Sequence, residues 1–114
     1  MSLINQSKQL TIVPTVDEAT GFRVRLIGLM GRKSYEANRT LWFDACNTIH
    51  TCFMHFPIDV VFVDHNFVVR KVVRNLKPWR LVLPVFGAQS TFEFAAGVAT
   101  PEKVSEGDQL HVGH

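Results

Sequence analysis

Residues 48–64, TIHTCFMHFPIDVVFVD, constrain the fold more than any other part of the chain. This is the most apolar run in the sequence. It is interrupted by two histidines, a cysteine, a methionine and two aspartates. Its β-branched and aromatic content predicts a long buried strand over 53–63. Proline cannot donate to a ladder, so Pro57 belongs at a bulge or at the strand's start. A strand buried this thoroughly needs neighbours on both sides, and the flanking sequence supplies candidates.

Asp64, His65, Asn66 and Phe67 predict a hairpin turn, since Asp and Asn tolerate the dihedrals of tight turns. Residues 68–74, VVRKVVR, read as the return strand. Residues 9–16 predict an edge strand or a lead-in segment broken by Pro14. Phe22, Val24 and Leu26 alternate with arginines, as a strand with one wet face does. Leu41-Trp42-Phe43 reads as a further strand, Thr91-Phe92-Glu93-Phe94-Ala95 alternates, and 109–112 closes the chain.

Residues 75–80 form a loop, because Pro78 excludes a central strand there, and 81–87 are irregular or a short edge strand. Ser34 caps a helical turn reaching Asn38. A second short helix starts at Thr100-Pro101-Glu102 and stops before Gly107. The expected architecture is therefore mostly β (α+β), a compact barrel-like or open-roll sheet with one or two short helices.

A chain of 114 residues fits one domain, and an apolar fraction of 46% is that of a folded protein. Residues 1–9 are polar and expected to fray. The formal charge of +2 is too small to imply a nucleic-acid or membrane partner. The first residues lack the apolar stretch of a signal peptide, and no window reaches the length of a membrane span, so cytoplasmic residence is expected. Cys46 and Cys52 would lie ~20 Å apart on one extended strand, too far for a disulfide, so free thiols in a reducing compartment are expected.

Four groups of residues could carry chemistry. Cys46, His50, Cys52 and His55 are zinc-type ligands, yet their spacing is not that of paired knuckles. On a strand, Cys46, His50 and Cys52 share a face that His55 does not. No metal or cofactor is expected, and Cys46, His50 and Cys52 stand as the alternative. Cys52 with His50 and Asp59 contains the parts of a thiol–imidazole–carboxylate arrangement, the basis of a hydrolase-like alternative.

Asp59 interrupts an apolar strand and must be paired or held by several donors. A structural aspartate tying a bulge to a loop is the plainer reading. The basic residues Arg70, Lys71, Arg74, Lys77 and Arg80 surround Trp79, which suits single-stranded nucleic acid. Alternating cations are equally what a solvated strand face looks like.

With these residues in view, the chain resembles the domain of unknown function 192 family. The block IHTCFMHFPIDVVFVD at 49–64 carries the resemblance, supported by GLMGR at 28–32, LKPWR at 76–80 and FEFAAG at 92–97. It covers about residues 22–112. The resemblance implies a compact β-rich fold with short helices, in a family of bacteria and archaea with no established activity. Many relatives look secreted or lipid-anchored, whereas this chain shows no such leader. Ala95 stands where the family usually has proline, and Asn66 and Phe67 where it often has glycine.

These readings converge on a binding module in which Arg32, His50, Met54, Asp59, Trp79 and Arg80 surround one polar cleft. Two arginines and a tryptophan would suit a small anion or a peptide carboxylate. A thiol- or metal-dependent enzyme is the first alternative, and nucleic-acid binding through 70–80 the second.

Overall fold

In a computed structural model, residues 1–19, 34–51 and 54–113 are described. Ten strands occupy this part of the chain, and no helix is found among the described residues. The centre is a five-stranded sheet in the order β3-β4-β9-β6-β7. Its members are β3 (Thr15–Glu18), β4 (Arg39–Phe43), β6 (Ile58–Val63), β7 (Val69–Leu76) and β9 (Ser90–Ala95). β3 runs parallel to β4, and the other pairings are antiparallel.

A three-stranded sheet has the order β10-β1-β2, from β1 (Ser2–Asn5), β2 (Leu10–Val13) and β10 (Leu110–Gly113). β5 (Ile49–His50) and β8 (Leu81–Val82) form a small two-stranded ribbon. Among the described residues the sheets do not close into a barrel, and β3 and β7 are the edges of the central sheet.

The apolar run forms the heart of the fold, as its composition demands. The strand expected over 53–63 is found from Ile58 on: Pro57 directly precedes β6, so the missing donor falls outside the ladder. Every residue of β6 is buried, with β9 on one side and β7 on the other. Val61 and Val63 join Phe92, Phe94 and Leu3 in one apolar cluster; Ile58, Val60 and Phe62 join Leu41, Phe43 and Met54 in a second. The sheet thus buries both faces, which a two-residue period alone cannot reveal.

The 64–67 turn forms as expected. Asp64 Oδ1 accepts from the amides of Asn66 (2.9 Å) and Val68 (3.0 Å). Burial alone would raise the Asp64 pKa, but these two amides and Arg70 hold it below the usual carboxylate range. Phe67 adopts φ +62°, the conformation in which a glycine is at ease. Its ring is held edge-on to Trp42 and Phe92, at 5.7 and 6.0 Å between centroids. Packing therefore offsets the cost of the left-handed backbone.

Three expectations are corrected. Residues 1–9 are not frayed: β1 lies between β2 and β10, with Leu3 and Asn5 buried. Asn5 Nδ2 donates to Lys103 O (2.9 Å) and Asp108 Oδ2 (2.8 Å), which ties the N-terminus to the end of the chain.

The helix expected from Thr100 is one turn, in which Lys103 N and Val104 N both donate to Thr100 O. Asp108 Oδ2 takes the Ser105 amide (2.9 Å), and Gly107 turns at φ +89°, so nothing propagates. Residues 34–38 contain a turn and no helix. Pro14 divides the 9–16 segment between β2 and β3, which belong to different sheets. The strand expected over 22–26 lies outside the described residues.

Candidate functional site

Thr51 organises the surface around the predicted site. It follows β5 and is fully buried. Its amide donates to Arg80 O (2.8 Å), and its carbonyl accepts from Trp79 N (2.9 Å) and Met54 N (3.1 Å). Its hydroxyl donates to Lys77 O (2.7 Å) and accepts from Arg80 N (2.8 Å). One small side chain thereby fixes the KPWR loop against the end of β5, with Trp79 at φ +62°.

His50, Trp79 and Arg80 are brought to this patch, all exposed. Pairing of His50 with Leu81 in the small ribbon sets the histidine beside the loop. Met54 is tied to Thr51 through its backbone, but its side chain packs into the second core cluster.

Asp59 has a different occupation. Its Oδ1 accepts from Asn75 N (2.8 Å), and its Oδ2 from Gly97 N (2.9 Å) and Ala99 N (3.0 Å). Three main-chain amides use both oxygens of a buried carboxylate. Asp59 thus joins β6 to the turn after β9 and to the irregular end of β7, the plainer of its two readings.

Arg32 and Cys52 lie outside the described residues. Cys46 is half-buried and bonds Thr48 O through its thiol (3.0 Å). Among the described residues no three His, Cys, Asp or Glu side chains cluster as metal ligands do.

The basic stretch divides into committed and open cations. Arg70 pairs with Asp64 (3.2 Å). Arg74 donates to Ala99 O (2.7 Å) and Val104 O (2.6 Å). Lys71 and Lys77 are exposed.

Two features were not read from the sequence. The first is an apolar strip beyond the KPWR loop: Trp79, Leu81, Leu83 and Phe86 are 58, 66, 72 and 99% exposed. Leu81, Leu83 and Phe86 line one side of a groove of about 730 Å³, and Lys71, Val73 and Arg74 of β7 line the other. Isolated exposed apolar residues are ordinary; here four fall within eight positions beside a groove. Pro84 was the available signal, since it denies the 81–86 run a place inside a sheet.

The second is Glu93, on the central strand β9. Its cross-strand neighbours are Leu41 and Val60, and its Oε2 has no hydrogen-bond partner. Burial alone pushes its carboxyl up to about 8, so it is held neutral at pH 7. The charged residue between two phenylalanines marked the place. Only the sheet order shows that neither face there is wet.

The profile of the family described as an uncharacterized ACR, the domain of unknown function 192, matches residues 3–112. The chain belongs to this family. The match extends into β1, ahead of the 22–112 span that its motifs mark. Among sequence relatives, a UPF0127 protein of Pyrococcus horikoshii is 35% identical over 95% of this chain and 96% of its own. A UPF0127 protein of Pyrococcus abyssi is 34% identical over 95% of this chain and 94% of its own.

Two solved structures share the family fold. A protein of unknown function from Novosphingobium aromaticivorans superposes with a TM-score of 0.79 at 20% identity, covering 97% of this chain and 82% of its own. A protein described as a candidate transcription regulator, from Sinorhizobium meliloti, gives 0.73 at 25% identity over 96% and 89%. No helix among the described residues is long and apolar enough to cross a membrane.

Proposed function

We propose that this chain is a binding module that docks a polypeptide along the strip 79–86, with His50, Trp79 and Arg80 at one end. The observation that carries the reading is the exposure of Trp79, Leu81, Leu83 and Phe86 beside a groove with basic residues on its far wall. Tryptophan and arginine are the residue types on which binding energy concentrates, and a strip of large apolar groups supplies area to desolvate.

Panning a random peptide library against the protein and against the triple variant Leu81→Ser, Leu83→Ser, Phe86→Ser tests this. Sequences enriched on the first and absent from the second are expected. Equal enrichment on both would end the reading.

Nucleic-acid binding through 70–80 is a second reading, favoured by the Sinorhizobium meliloti relative described as a candidate transcription regulator. It predicts retention on heparin at moderate salt, because phosphate contacts release counterions. The commitment of Arg70 to Asp64, and of Arg74 to two carbonyls, weighs against it.

A further inference from the structure

We infer that the groove takes its partner as an added strand: an extended, acidic peptide segment pairing with the open edge of β7. The inference rests on the polypeptide-docking reading and names its mode and chemistry.

The geometry begins with β7 itself. It is bonded to β6 on one side and forms the end of the five-stranded sheet. Among the described residues, main-chain bonds from the 107–108 loop reach its first residue: Val69 N donates to Asp108 O, and Gly107 N to Val69 O. Among the described residues β6 is the ladder partner of β7, in regular register over Lys71–Val73; beyond it the register shifts and Asn75 turns at φ +54°. In the regular part, the groups that β6 does not take point away from the sheet.

Past the KPWR loop the chain doubles back along this edge without joining it. Leu81 and Val82 pair with β5, and Val85 N donates to Asn47 O. The return ends at Gly87 (φ +82°), where a Cβ would come within 3.5 Å of the Arg70 guanidinium carbon. β7 and the 81–86 segment are thus two walls running side by side, connected at one end and nearly touching at the other. The groove of about 730 Å³ lies between them. Its lining includes Val72 and Val73 on the β7 side and Leu83 and Phe86 on the other.

An extended segment no longer than residues 71–76 could fill this space. Its main chain would complete the β7 ladder, and alternate side chains would meet Leu83 and Phe86. Charge selects its chemistry. Lys71 and Arg74 line the groove and no carboxylate does. Arg74 spends its donors on carbonyls, which leave its charge in place. The remaining side chains of the occupant should therefore carry carboxylates.

The test uses the full chain and a capped, fluorescent hexapeptide of alternating valine and glutamate. Saturable binding is expected, about tenfold weaker with Lys71→Glu. It should be abolished by N-methylation at one set of alternate peptide residues and not at the other. Amide exchange in 71–76 should slow at saturation.

Binding that ignores N-methylation and leaves 71–76 unprotected would overturn strand addition while the docking reading stands. Preference for a lysine-bearing peptide, or for a single-stranded oligonucleotide competing at the same edge, would overturn the assignment. So would β7-to-β7 pairing of two copies seen in sedimentation. If no peptide binds and panning finds none that needs Leu81, Leu83 and Phe86, both readings fall together.

Discussion

Two six-residue apolar runs meet opposite fates in this molecule. The run 58–63, IDVVFV, is β6 and is wholly buried; the run 81–86, LVLPVF, places Leu81, Leu83 and Phe86 in solvent. Hydrophobicity does not separate them. β6 begins after its proline and finds a strand on either side, whereas Pro84 sits inside the second run. A proline there removes a ladder donor and leaves a two-residue strand paired with β5. Apolar character states a demand for burial, and backbone pairing decides which segment has it met.

The sharpest way to break this comparison is to truncate each run. Phe62→Ala should destabilise by ~3–5 kcal/mol, the cost of a cavity in a packed core. Leu83→Ser or Phe86→Ser should stay within ~0.5 kcal/mol, as surface changes do. Urea denaturation measures both, and equal losses would mean that the strip is a second core.

Next comes Glu93, the ionisable group inside the buried region. Its folded pKa, about 8, stands above the ordinary 4.5. The folded state therefore keeps the proton after the unfolded state has lost it. The stability that this neutral burial allows is full below about 4.5 and declines as pH rises towards 8. The decline is at most ~1.4 kcal/mol per pH unit, and above that range it levels off. Glu93→Gln should flatten this part of the profile, so that the variant gains on the wild type between about pH 5 and 8. Parallel curves would show that Glu93 is ionised in the folded protein.

Asp59→Ala follows, with a loss of ~2–3 kcal/mol, because it strands buried amides that the carboxylate now satisfies. The change should also raise hydrogen exchange at Asn75, Gly97 and Ala99. An unchanged exchange pattern would return Asp59 to the list of side chains available for a ligand.

The smallest effect belongs to Thr51→Val, which keeps shape and removes the hydroxyl holding the KPWR loop. A loss of ~1 kcal/mol is expected, with weaker binding of any peptide selected on the strip. Loss of stability without loss of binding would separate the 77–80 loop from the docking surface.

Much of the fold was legible in the residues. The hairpin at 64–67 followed from Asp and Asn chemistry. The strand expected over 53–63 keeps only its second half, because Pro57 ends what could join the ladder. What failed was local reasoning about chain ends. Thr100-Pro101-Glu102 carries good helix-start chemistry, yet Asp108 captures Ser105 N and ends the turn. Residues 1–9 look polar, yet Asn5 reaches across the molecule to Lys103 and Asp108.

The candidate site was legible in part, for a similar reason. Of the six residues expected around one cleft, His50 lies beside the Trp79–Arg80 loop, Met54 packs into the core, and Asp59 is taken up by main-chain amides. Asp59 was recognisable as needing donors, but sequence could not say which. The groove beside β7 needed the return path of 81–86, which no periodicity encodes.

By itself the sequence determined that several apolar, β-branched segments are extended, where prolines forbid a ladder, and that one apolar ribbon would be central. Those are properties of neighbouring residues, set by sterics and by main-chain donors. Only the tertiary structure decided that β9 lies between β4 and β6, burying Glu93, and that β7 is the last of the described strands in the central sheet. Strand order is a matter of long-range pairing, and short-range propensity carries no information about which partner a strand will meet.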